Sequence, residues 1–174
     1  EGYVLLEGPA PAWVQIDLAS GEEYLSRLSS GRRKNIRRKL RSCADLEIEA
    51  VRTGDARCNY AATRAEFYAL FDNVYAQSEV HFDRLSAAFF RAVLQDADSG
   101  GVVFVYRHAG QMIGWNLCYE HGGKLIDKYV GFAYPQAREH NLYFVSWMHN
   151  LDYARRRGLT HYVAGWTDPE VKAF

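Results

Sequence analysis

Residues Val102–Phe132 read VVFVYRHAGQMIGWNLCYEHGGKLIDKYVGF, and this stretch decides the fold. Three runs rich in β-branched and aromatic residues, Val102–His108, Gln111–Glu120 and Lys124–Phe132, are parted only by Ala109-Gly110 and His121-Gly122-Gly123. Connections that short, with glycine in them, allow only tight reversals, so the stretch predicts an antiparallel three-strand meander. On its downstream side, after Pro135, the chain turns helical: Phe144, Trp147, Met148 and Leu151 share one face, with Leu142 and Val145 beside it. Arg155, Arg156 and Arg157 suit the negative end of that helix, Gly158 supplies a left-handed stop, and Tyr162–Gly165 reads as a further strand.

Upstream of the meander, Ser86 can cap a helix, with Leu85 and Phe90 as its hydrophobic staple and Phe89, Val93 and Leu94 as its buried stripe. Thr63 with Glu66 three residues on is a capping-box pattern, followed by Phe67, Leu70, Phe71 and Val74 at helical spacing to about Gln77. Leu46, Ile48 and Ala50 mark a short strand, Gly21–Cys43 a pair of helices broken at Ser29-Ser30-Gly31, and Trp13–Leu18 a first strand after Pro9 and Pro11. The expected order is strand, two helices, strand, two helices, meander, long helix, strand: an α/β (α+β) chain with a mixed, mostly antiparallel sheet flanked by helices on both faces. A meander that feeds a helix and then another strand also creates a place where strands splay and admit a ligand.

The 174 residues suit one domain with one core, and 48% hydrophobic with 24% charged residues excludes disordered and fibrous classes. Charge is balanced at 21 basic against 21 acidic residues, but seven of the basic ones lie between Arg32 and Arg41, leaving 14 against 21 elsewhere. With Ile36, Leu40 and Cys43 turned inward, Arg33, Arg37 and Arg41 form one outward stripe, and Lys34 and Arg38 another. Arg33, Arg37 and Arg38 are therefore candidate anion-binding residues, or else a solvated helix face. Cys43, Cys58 and Cys118 are odd in number and without a CxxC pair, which points away from a disulfide framework and fits a reducing compartment. Six histidines show no HExxH or similar spacing, so no metal is expected. The longest apolar runs near the start are too short for a signal or membrane span, and a soluble, cytoplasmic protein is expected. Glu1 and Phe174 both look like cut ends of a longer protein.

Charged residues in mid-strand are costly unless paired or used. Asp127 and Lys128 lie so in Leu125–Val130, and strand alternation sends Asp127 and Tyr129 to one face. Asp127 is thus a candidate general base or amine anchor and Tyr129 a candidate proton donor, against the alternative of a wet or salt-bridged face. His140, at the start of the long helix, is the third catalytic candidate, with capping as its alternative reading. Glu120 and His121 close a hairpin and read as solvated turn residues.

Four features in this order, Leu28-Ser-Ser-Gly-Arg-Arg-Lys-Asn-Ile-Arg-Arg-Lys-Leu40, the Gln111–Phe132 strand pair, Asn141-Leu-Tyr-Phe, and Gly165 followed by Lys172, make the chain resemble the GNAT superfamily over Leu18–Lys172. Within it, the resemblance is to the branch of Fem-type aminoacyl transferases and the acetyltransferase-like domains of polysaccharide biosynthesis. It implies an acyltransferase that holds acyl-CoA (acetyl-CoA) between the Lys124–Phe132 and Tyr162–Trp166 strands while a small-molecule amine or hydroxyl acceptor enters from the other side. Gln136, Arg138, His140, Asn141, Leu142 and Lys172 would then border the donor. The pyrophosphate loop of typical members resembles Arg/Gln-x-x-Gly-x-Gly/Ala, whereas Gln136-Ala-Arg-Glu139-His-Asn141 replaces both glycines and sets a negative charge beside the helix start. Fem-type members take aminoacyl-tRNA instead and commonly pair two such domains, and this chain would be the second half. A third reading is a non-catalytic module that docks through the basic helix.

Overall fold

A computed structural model of the chain describes residues 11–41, 43, 45–79, 81 and 84–165. Its strands are β1 (Trp13–Gln15), β2 (Leu46–Arg52), β3 (Gly101–His108), β4 (Gln111–His121), β5 (Lys124–Phe132) and β6 (His161–Val163). Its helices are α1 (Gly21–Arg27), α2 (Ser30–Arg41), α3 (Ala61–Gln77), α4 (Ala87–Gln95), the single turn α5 (Gln136–Glu139) and α6 (Leu142–Arg156), with a 3-10 turn at Ala56–Asn59. The six strands form one sheet in the order β1-β6-β5-β4-β3-β2, antiparallel throughout except for the β5–β6 pair. The meander is where the sequence places it, in the middle of the sheet.

Each face of the sheet carries its own core. Phe104, Tyr106, Cys118, Leu125 and Tyr162 point to the side covered by α1, α2 and α6, where Leu142, Trp147 and Leu151 meet them. Val103, Val105, Trp115 and Leu117 point to the other side, against Phe67 and Leu70 of α3 and Phe90 and Leu94 of α4. Trp115 is wholly buried and its indole N–H donates to the Phe67 carbonyl at 3.0 Å. No side chain fits above it: a Cβ on Gly131 would lie 2.3 Å from that indole nitrogen.

Several local expectations are corrected. Helix α3 begins at Ala61 with Tyr60 at its N-cap and no side-chain cap, so Thr63 lies inside the first turn rather than capping it. The preceding 3-10 turn, closed by Tyr60 N–H on Arg57 O, delivers the chain directly into the helix. Ser86 does cap α4, accepting from Phe89 N–H, but Phe89 itself is exposed rather than buried. The first strand stops at Gln15, and the last covers His161–Val163 rather than reaching Gly165. The helix after Pro135 comes in two pieces, because Asn141 takes a left-handed conformation (φ 51°) between α5 and α6. Gly158, at φ 67°, ends α6 as read from the sequence. Among the described residues no helix is long and apolar enough to cross a membrane.

Candidate active site

Strands β5 and β6 pair over only three residues, Lys124–His161, Leu125–Tyr162 and Ile126–Val163. Beyond them the last strand is drawn off: Ala164 N–H donates to Ala12 O at 2.9 Å, Gly165 O accepts from Ala12 N–H at 2.8 Å, and Gly165 turns at φ 73°. A cleft of about 320 Å³ opens in the resulting V, walled by Ile126, Val130 and Phe132 of β5, Ala164 and Gly165 opposite, and Tyr143, Ser146 and Trp147 of α6. Asp127 and Tyr162 line it where the strands part. A second hollow of about 350 Å³ continues toward the α5–α6 junction and shares Phe132 and Tyr143 with the first.

The Asp127 carboxylate is partly exposed and held by neutral donors. Asn150 Nδ2 donates to one oxygen at 3.0 Å and Tyr162 OH to the same oxygen at 2.9 Å, while Asn116 Nδ2 reaches the other at 3.3 Å. Behind them Tyr106 OH donates to Asn116 Oδ1 at 2.7 Å and Asn116 Nδ2 meets Asn150 Oδ1 at 3.2 Å. Asn116 and Asn150 are fully buried, so each of these bonds replaces one lost to water. Burial, reinforced by the nearby Asp127 charge, pushes the Tyr162 hydroxyl and the Cys118 thiol well above their usual ranges, which keeps both protonated beside that carboxylate.

The pairing of Asp127 with Tyr129 on one face is corrected by a β-bulge. Leu117 pairs with Tyr129 and Cys118 with Asp127, which leaves Lys128 as an extra residue and reverses the alternation there. Asp127 therefore faces α6, while Tyr129 faces the opposite core, with its ring edge-on to Phe89 and Phe90 at 5.8 and 5.7 Å. His140 is drawn aside as well: its ring lies 4.3 Å from that of His108, and its carbonyl accepts from Cys43 Sγ.

Of the donor-side candidates, Arg138 and Asn141 line the second hollow, and the Arg138 guanidinium sits 4.9 Å over the Tyr134 ring. Gln136 starts α5 beside that hollow, Leu142 is wholly buried in the core, and Lys172 lies outside the described residues. On α2, Ile36 is buried as expected; Arg37 pairs with Glu22, Arg33 donates to Ser26 O, and Arg38 bonds Asn35. Glu120 is not a solvated turn residue. Its side chain is 16% exposed and ion-paired with Arg52 and Arg157. Among the described residues no group of His, Cys, Asp or Glu is arranged to hold a metal ion.

Sequence reading missed Asn116, Asn150 and Tyr162. The signal was present for the first two: an amide inside Trp115-Asn-Leu-Cys118, and another on the apolar side of α6 next to Leu151.

A family model described as an acetyltransferase (GNAT) domain matches residues 30–173. No curated protein matches the chain. Among solved structures, FemX is similar with a TM-score of 0.64 at 13% identity, over 89% of this chain and 52% of that one. The L-PGS of Bacillus licheniformis is similar with a TM-score of 0.59 at 10% identity, over 90% of this chain and 44% of that one. A conserved protein of unknown function from Bacteroides thetaiotaomicron is similar with a TM-score of 0.56 at 12% identity, over 90% and 50%. At these identities the likeness is one of fold, and the chain spans about half the length of the structures it matches.

Proposed function

The chain belongs to the GNAT acetyltransferase family, and on that premise we propose that it transfers an acyl group from acyl-CoA to an amine or hydroxyl of a small-molecule or envelope-precursor acceptor. The observation that carries this reading is the V between β5 and β6, with a fixed carboxylate at the point where they part. A thioester laid along the cleft would bring its carbonyl to Asp127. The acceptor nitrogen or oxygen then forms a bond to that carbonyl carbon as the carbon–sulfur bond breaks. Its proton passes to Asp127, and the thiolate leaves toward Tyr143, where the two hollows join. Asn116, Asn150 and Tyr162 fix the carboxylate in place, so proximity supplies much of the acceleration. Arg138, at the second hollow, is suited to a donor phosphate; the Gln136–Asn141 segment has no glycine.

That missing glycine, with the exposed cations Arg32, Lys34, Arg38 and Arg41 on α2, favours a second reading, an aminoacyl-tRNA-dependent transfer of the Fem type. Release of free CoA thiol from acetyl-CoA across a panel of amine and hydroxyl acceptors separates the two. Acceptor-dependent release, lowered by Asp127→Asn, is the expected result. No release, together with salt-dependent tRNA binding that is lost when Arg33, Arg37 and Arg38 are reversed, would move the protein to the second reading.

A further inference from the structure

The hydrogen bonds behind Asp127 have a direction. Asn150 Nδ2 donates to Asp127 and to the Tyr162 hydroxyl, both at 3.0 Å, and that hydroxyl donates to Asp127 in turn. Asn150 Oδ1 accepts from Asn116 Nδ2, which also reaches Asp127 at 3.3 Å and Cys118 Sγ at 3.2 Å. Asn116 Oδ1 accepts in its turn from the Tyr106 hydroxyl at 2.7 Å. Among the described residues, then, the donors run one way, from Tyr106 at the head of the chain to the carboxylate at its end.

Tyr106 is wholly buried on β3, two residues along from Phe104, the residue paired with Asn116. Its own cross-strand partner is Gly114, so no side chain stands opposite, and the ring reaches across the face to Asn116, the next residue of β4 on that side. Burial pushes the Tyr106 hydroxyl well above its usual range, so it keeps the proton it donates. This bond has the ordinary length for a hydroxyl donor, whereas the contacts of Asn116 with Asp127 and Asn150, at 3.3 and 3.2 Å, are long for an amide. Asn116 is therefore held more firmly from behind than from the side it serves. That matters because an amide has two unlike ends. Turned over, Asn116 would set its oxygen against the Asp127 and Asn150 oxygens, and repulsion would replace two donated bonds.

We propose that Tyr106 is a positioning residue for acyl transfer: from behind the cleft wall it fixes which end of Asn116 faces Asp127, and through Asn116 it holds the carboxylate at one angle to the acceptor. The inference rests on the reading above, in which Asp127 receives the acceptor's proton.

The test is steady-state transfer from acetyl-CoA to a primary-amine acceptor by the native protein, Tyr106→Phe, Asn116→Leu and the double variant. Val103→Ala, which thins the core on the other face of β3, controls for lost packing. Tyr106→Phe is expected to lower kcat by about ten- to a hundredfold, as for a misplaced catalytic group, with KM for acetyl-CoA unchanged. Asn116→Leu should lose at least as much, and Tyr106→Phe should add nothing in that background, because its influence passes through Asn116. Val103→Ala should keep kcat near native. A native kcat in Tyr106→Phe, a loss confined to KM, an equal loss in Val103→Ala, or losses that multiply in the double variant would overturn the positioning role and leave the acyl-CoA reading standing. If Tyr106→Phe does not fold, Asn116→Leu breaks the same bond and carries the test, and a native kcat there overturns the proposal. Failure of the native protein to release CoA from acetyl-CoA overturns both.

Discussion

The β4–β5 hairpin carries two carboxylates, Glu120 and Asp127, whose surroundings differ in kind. Glu120 receives the Tyr153 hydroxyl at 2.6 Å and ion pairs from Arg52 at 2.7 Å and Arg157 at 3.1 Å, which tie the hairpin to β2 and to the end of α6. Burial opposes its charge, but the hydrogen bonds from Tyr153, Arg157 and Arg52 outweigh that and hold its carboxyl below the usual range. Among the described residues Asp127 receives hydrogen bonds from two amides and a phenol, which orient it, and it lines a cleft. A carboxylate answered by guanidiniums is a clamp. One positioned by neutral donors beside an open space is suited to receive a proton or an ammonium group.

The contrast can be broken in four ways. Asp127→Asn should lower acyl transfer by about a hundred- to ten-thousandfold, the range for loss of a positioned base, with circular dichroism unchanged. Equal activity in the variant would remove Asp127 from the chemistry. Gly131→Ala acts on the seat of the strand that carries Asp127, since its Cβ would fall 2.3 Å from Trp115 Nε1 and 2.9 Å from the Phe71 nitrogen. A cost of about 3 kcal/mol is expected in denaturant unfolding, with activity lost in parallel. The pH dependence of stability tests the α6 face beside the network. There burial, with Arg156 nearby, lowers the His149 value from 6.5 to about 4. A folded value below the unfolded one means that the contribution is complete above about pH 6.5 and is lost as pH falls toward 4. That loss is on the order of 2–3 kcal/mol, and His149→Phe should flatten the acid limb of the unfolding curve. Glu120→Gln, the smallest effect, should cost about 1–2 kcal/mol and lower Tm by roughly 3–6 °C while leaving turnover near the native level. A large loss of turnover there would erase the distinction between the two carboxylates.

How far the sequence anticipated this contrast follows from what each feature depends on. The meander and the helices rest on periodicity and short glycine turns, which are local and were legible, whereas the splayed pair was indicated by the family resemblance. Asp127 stood out for the same reason, as a charge inside an apolar strand. Its partners did not, because Asn150 and Tyr162 reach it only through the packing of α6 and β6 against the meander. The bulge at Lys128 was hidden too. Nothing in Leu125-Ile-Asp-Lys-Tyr marks an extra residue, and strict alternation carried Tyr129 to the wrong face. Thr63 shows the converse failure, where a local motif was overruled by a turn that starts the helix earlier. Glu120 was misjudged because its partners Arg52 and Arg157 come from distant segments.

The central claim is that the cleft between β5 and β6 binds an acyl-CoA donor, and thermal unfolding of the protein with and without acetyl-CoA tests it most directly. A ligand present at a hundred times its Kd stabilises the native state by about 2.7 kcal/mol, so Tm should rise by roughly 5–10 °C at saturation. A Tm that stays the same at millimolar acetyl-CoA would contradict the account.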